Sequence, residues 1–185
     1  ACTTKWPSKR ILRQCEEENP HGGGVAWLEG GKVSWVKGTD HASISELIDE
    51  KVISLPAVIH FRIATCGGIS AELCHPFPIE PGSRLDTAGQ SERVLFHNGH
   101  WPGWKRRHPV AELDGKCSDS RFMAHQASRG ESPEEIEMIV EQFVEQNHVG
   151  KVATLGPEGI LLFGKWYSKD GIAFSNTHWV TPRSN

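Results

Sequence analysis

No apolar run in this chain approaches the roughly eighteen residues that a membrane-spanning helix needs, and nothing else in it argues for a membrane. The opening residues, ACTTKWPSKRILRQ, lack the apolar core of a signal peptide. The five cysteines lack the dense, even spacing of a secreted disulfide scaffold, so a reducing, cytoplasmic setting is expected. Nor does any pair of them have the C-x-x-C spacing of a zinc site. A net charge of −3 gives no overall basic field to hold a phosphate backbone, so no nucleic-acid partner is expected. The one basic run, WKRRH at 104–108, reads as a solvated loop. There is no internal repeat and no long linker, and 185 residues suit one domain with a substantial core.

What is present has a clear order. VAWLEGGKVSWVKG (25–38) alternates apolar and polar residues around Glu29-Gly30-Gly31 and predicts a hairpin. SISELIDEKV (43–52) predicts a short helix capped by Ser43, with Glu46 closing a capping box. Strands are expected at 57–63 and 93–99, the second ending in the turn Asn98-Gly99, and a helix is expected at 118–128, entered through Ser118 or Asp119. The clearest helix is 132–147: Ser132 caps it, Pro133 takes the first turn, Glu135 closes a box, and Ile136, Ile139, Val140, Phe143 and Val144 form one apolar face. Residues 151–177 read as a meander of three strands, and 79–91 as a mobile loop. Trp27, Trp35 and Trp166 are expected in the core, and HGGG (21–24), which precedes a strand, in close chain packing. Strands at both ends with helices between them suggest α+β layers.

The chemistry concentrates in HFRIATCGGISAELCHPFP (60–78), where an apolar strand runs into a Gly-rich loop. Taken alone it fits a Cys/His metal site built on Cys66, Cys74 and His75, a thiol nucleophile, or an arginine clamp for an anionic substrate. Arg62 and Asp119 together fit either a substrate clamp or a structural ion pair.

HFRIATCGG, the pair His75-Pro76, LFHNG (95–99) and SDSRFMAH (118–125) follow one another in a chain whose second residue is Cys2. In that order they resemble the glutamine-hydrolysing domain of class II glutamine amidotransferases, and NPHGGGVAW (19–27) and GKWYSKDGIAFSNT (164–177) look like segments of its compact, stand-alone members. The resemblance implies an α+β fold of the N-terminal-nucleophile hydrolase type, a four-layer αββα sandwich of two antiparallel sheets between helices. It implies Cys2 as nucleophile, its own α-amino group serving as base when Cys2 begins the mature chain. Asn98 and Gly99 become the oxyanion donors, Arg62 and Thr65 the grip on the α-carboxylate of L-glutamine, and Asp119 the acceptor for its α-ammonium. Neither cofactor nor metal is called for. Three positions depart from the pattern: Ala1 precedes Cys2, Thr3 stands where glycine is usual, and Cys66 stands where histidine is common. With no synthase segment after the last strands, an ammonia acceptor would belong to a separate partner protein. The alternative is a catalytically silent amino-acid-binding or regulatory module on the same fold, with Ala1 as its hint. A third reading pairs Cys66 or Cys74 with His75 or His97 as a thiol hydrolase.

Overall fold

The computed structural model describes residues 2–3, 5–65, 67–107, 113 and 115–178. In chain order the elements are β1 (Cys2–Thr3), α1 (Lys9–Glu18), β2 (Gly23–Glu29), β3 (Lys32–Thr39), α2 (His41–Asp49), β4 (Ala57–Phe61), β5 (Phe77–Pro78), β6 (Ala88–Ser91), β7 (Val94–Asn98), α3 (Trp104–Arg107), α4 (Asp119–Ala127), α5 (Pro133–Asn147), β8 (Lys151–Gly156), β9 (Gly159–Phe163), β10 (Tyr167–Lys169) and β11 (Ile172–Phe174). A seven-stranded sheet has the order β10-β11-β1-β4-β2-β3-β6, and a four-stranded sheet has the order β5-β7-β8-β9. Pairing is antiparallel throughout. No described helix is long and apolar enough to cross a membrane.

Strand alternation explains the layering, because successive side chains point to opposite faces of a sheet. Val25 and Trp27 of β2, with Ala57, Ile59 and Phe61 of β4, pack with Leu12 of α1 and Ile44 of α2. The residues between them, Ala26 and Val58, face the other way and meet Val94 and Phe96 of β7 and Ala153 and Leu155 of β8. Leu95 and Val152, the alternate residues of β7 and β8, pack under Phe122 and Met123 of α4 and Val140 of α5. The result is the expected αββα order of helices, sheet, sheet and helices.

Local chemistry fixes most boundaries. Gly30 and Gly31 join β2 to β3 with φ of 59° and 80°, the left-handed pair that a two-residue hairpin turn requires. Of the HGGG run, Gly24 has no space for a β-carbon, which would overlap His75 O, so close packing is its role. Trp27 and Trp35 are buried, and Trp166 packs against the layer between the sheets. Ser118 caps α4 by accepting from Arg121 N, and Ser132 caps α5 by accepting from Glu135 N. The apolar face of α5 lies on the outer core as expected.

Several expectations change. Helix α2 begins two residues before Ser43: Asp40 is its cap, accepting from Ser43 N at 2.8 Å, because a carboxylate there reaches the first turn with the same geometry as a hydroxyl. In α5, Glu135 reaches back to Glu131 N, one residue before the cap. Residues 151–177 form four strands, not three, and no single meander, since β8 and β9 belong to the four-stranded sheet whereas β10 and β11 join the other. WKRRH opens as the short helix α3, not a solvated loop, because Trp104 is buried in the outer core. His108 and the side chains of Arg106 and Arg107 lie outside the described residues.

The segment 79–91 is pinned and not a free loop. β6 pairs with β3, Arg84 bonds Glu80, and the buried Arg121 donates to Ser83 O and Gly82 O, both at 2.8 Å, and to Lys116 O at 2.6 Å. Arg121→Ala strips these carbonyls of a charged donor. It should cost about 3 kcal/mol in denaturant unfolding and open a new protease cut within 80–92. An unchanged cleavage pattern would shift the pinning to Arg84.

Candidate active site

One cleft of about 520 Å³ opens where the ends of β4 and β7 and the start of α4 converge, and Arg62, Thr65, Asn98, Gly99 and Asp119 all line it. Each arrives by a different local rule. Arg62 follows β4, and the preceding segment clamps its backbone: Arg62 N donates to Gly22 O and His21 N to Arg62 O, both at 2.9 Å. The residue is 5% exposed, and its guanidinium donates from Nη1 to Gly68 O at 2.8 Å. Thr65 is exposed at the rim. Asp119 is the first residue of α4 and is 4% exposed. Its Oδ1 accepts from Ser120 N at 2.9 Å and its Oδ2 from Trp101 N at 3.0 Å, and His100 Nδ1 lies 3.6 Å away. The helix N-terminus adds favourable potential for the carboxylate.

Asn98 and Gly99 end β7 against the start of β8. A β-carbon on Gly99 would overlap Val149 O, so glycine is required by the neighbouring backbone. Asn98 Nδ2 donates to Ser175 Oγ at 2.9 Å. On the opposite sheet, the backbone of Cys2 lies between Val58 of β4 and Ala173 of β11. The Cys2 side chain, Ala1 and Cys66 lie outside the described residues.

Comparison with protein families completes this picture: the model for class II glutamine amidotransferases matches residues 4–172. The chain belongs to that family. No curated protein matches it. In this amidotransferase His60, His75 and His97 also line the cleft. His97 is engaged at both ring nitrogens, with Ser120 Oγ at 2.9 Å and Val149 O at 2.6 Å, which removes it as a base for a thiol. The Cys74 thiol is buried beside His21 O and Ser70 O, each at 3.6 Å, and burial raises its pKa, the reverse of what a nucleophilic thiol needs. The ring nitrogens of His75 find no partner among the described residues, and its ring lies 4.1 Å from that of His60.

Sequence reasoning missed Ser175, Ser120 and the Val149 carbonyl. No pattern marks a lone serine or a backbone oxygen, and each becomes part of the site only through the fold. Lys151 and Tyr167 also line the cleft and were read only as parts of strands.

Burial keeps the three histidines neutral: it pushes His60 down to about 3, His75 well below its ordinary value, and His97 in the same direction. An unfolded chain protonates such rings near pH 6.5, so below that pH the unfolded state binds more protons than the folded one. Stability is therefore fully present above about pH 6.5 and falls as the pH drops toward about 3, by up to about 1.4 kcal/mol per pH unit for each ring. Denaturant unfolding of His75→Gln should show a shallower loss than the parent between pH 6 and 4. Parallel curves would mean that His75 titrates normally.

Proposed function

We propose that the chain hydrolyses the side-chain amide of L-glutamine to glutamate and ammonia, with Cys2 as nucleophile, and that the ammonia passes to a separate acceptor-binding protein where one is present. The observation that carries this reading is the convergence of Arg62, Thr65, Asn98, Gly99 and Asp119 on one cleft from three distant stretches of sequence. Arg62 would grip the α-carboxylate with its planar fork, Thr65 would assist, and Asp119 would accept from the α-ammonium. The thiolate of Cys2 would attack the amide carbon, its proton passing to the free α-amino group. The resulting oxyanion would be met by the Asn98 amide and the Gly99 N–H. One such donor is worth about 3 kcal/mol of barrier. Collapse would expel ammonia, carrying the proton held by the amine, and water would then release glutamate from the thioester. Class II membership supports amide hydrolysis or transfer from glutamine as the chemistry of this cleft.

The deciding experiment compares two proteins that differ only at the start, one beginning at Cys2 and one retaining Ala1, with ammonia release followed from pH 6 to 9. Only the first should turn over, because an amide nitrogen is not a base. Its rate should rise with pH as the α-amine, whose ordinary value is about 8, loses its proton. Cys2→Ala should abolish turnover without lowering the melting temperature. Equal activity with and without Ala1 would exclude the chain start as base, and glutamine binding without turnover in the Cys2-first form would favour the silent-module alternative.

Selection by the charged ends gives a separate expectation. Arg62→Ala should raise KM for glutamine by about tenfold or more while changing kcat less, since the carboxylate is held in ground and transition states alike. Asp119→Asn should behave in the same way through the ammonium. Unchanged KM in both variants would return the two residues to purely structural roles.

A further inference from the structure

The Asn98 side chain is tied to the opposite sheet. Asn98 closes β7 of the four-stranded sheet, whereas Ser175 directly follows β11 of the seven-stranded one. Ala173 of β11 is the register partner of Cys2, so Ser175 stands two residues from the backbone that pairs with the proposed nucleophile. The bond from Asn98 Nδ2 to Ser175 Oγ, at 2.9 Å, therefore joins the oxyanion donor to the strand beside Cys2.

Packing does not do this work instead. Asn98 and Ser175 together border two small cavities, of about 50 Å³ and about 20 Å³, so apolar contacts leave space around the amide. An asparagine amide turns about a broad terminal torsion, and an oxyanion donor is effective only over a narrow range of distance. The amide nitrogen carries two N–H groups. One bond to Ser175 fixes the amide plane and still leaves a second N–H to donate.

We infer that Ser175 is a positioning residue for Asn98, holding the donor amide in register with the strand of the nucleophile; this rests on the glutaminase reading above. Hydrogen bonding through Ser175 thus acts on the transition state and not on the grip on glutamine, which separates it from a residue that merely stabilises the fold.

A double-mutant cycle on the Cys2-first protein tests this, with kcat, KM and melting temperature measured for each variant. Ser175→Ala should lower kcat by about tenfold to a hundredfold with KM within about twofold, since losing a donor outright costs about a hundredfold to a thousandfold. Ser175→Thr, which keeps the hydroxyl, should recover most of that rate. In an Asn98→Ala background, Ser175→Ala should change kcat by less than about twofold, because the group it acts through is gone. An unchanged kcat in Ser175→Ala, or an equal further loss on top of Asn98→Ala, overturns the inference while the glutaminase reading stands. So does a loss that tracks a lower melting temperature and is not restored by threonine. A Cys2-first parent that leaves glutamine intact overturns the reading itself, and this inference falls with it.

Discussion

The cleft depends on a contact between two backbones that admits no β-carbon on either side. Gly99 presses on Val149 O, and Gly150, held at φ 108°, leaves only 2.5 Å between the place of a β-carbon and Asn98 O. His97 Nε2 seals the junction by donating to Val149 O at 2.6 Å, and the ladder continues at once through Asn98 opposite Lys151. The end of β7 is thus fixed by mutual exclusion at two glycines, and Asn98 leaves the strand in a direction set by that junction. A left-handed φ such as that of Gly150 is one that glycine adopts without cost.

Around this corner the buried polar groups are bonded to the backbone. Arg62 and Asp119 are almost fully buried, a state that costs several kcal/mol for an unpaired ion, yet each is bonded to the backbone: Arg62 to Gly68 O, and Asp119 to the amides of Ser120 and Trp101. Partners of that kind orient a charge at the wall of the cleft. On the proposed glutamine reading, a zwitterionic amino acid would carry one complementary charge for each of them. The three buried histidines, held neutral, add no competing charge to the cleft.

The layered fold was legible because it rests on alternation. Val25, Ala26 and Trp27 declare two faces in three residues, and the helix of 132–147 declares one through its cap and apolar stripe. Arg62, Thr65, Asn98, Gly99 and Asp119 were named together through the resemblance to the family and not by local pattern, and the fold brings all five to one cleft. What escaped depended on tertiary choice. Asp40 and Ser43 are both good caps, and nothing local decides between them. The segment 79–91 has the composition of a free loop, and distant partners pin it: β3 pairs with β6, and Arg121 of α4 holds Gly82 O and Ser83 O. The two C-terminal hairpins look continuous in sequence, and only the change of sheet after Phe163 separates them. Ser175 could not have been singled out, because its importance arises from a bond that crosses from one sheet to the other.

That crossing bears on how such a sandwich can be tuned. The proposed nucleophile begins a strand of one sheet, and the proposed oxyanion donors lie at the end of a strand of the other, so the distance between them is set by what fills the space between the sheets, a layer about 10 Å thick. Here that layer is built from Ala26, Val33, Trp35, Val58, Phe96 and Leu155, with residues as small as alanine facing residues as large as tryptophan. Interiors packed at crystal density transmit a volume change instead of absorbing it, and a misplacement of about 1 Å at reacting atoms can cost about a hundredfold in rate. Residues such as Phe96, whose ring centroid lies 6.3 Å from His75 and 6.5 Å from His60, therefore lie on the path by which core packing reaches the chemistry. On the proposed mechanism, substitutions there would alter the spacing of the two sheets, and the Asn98–Ser175 bond is where that spacing would be converted into the aim of a single amide.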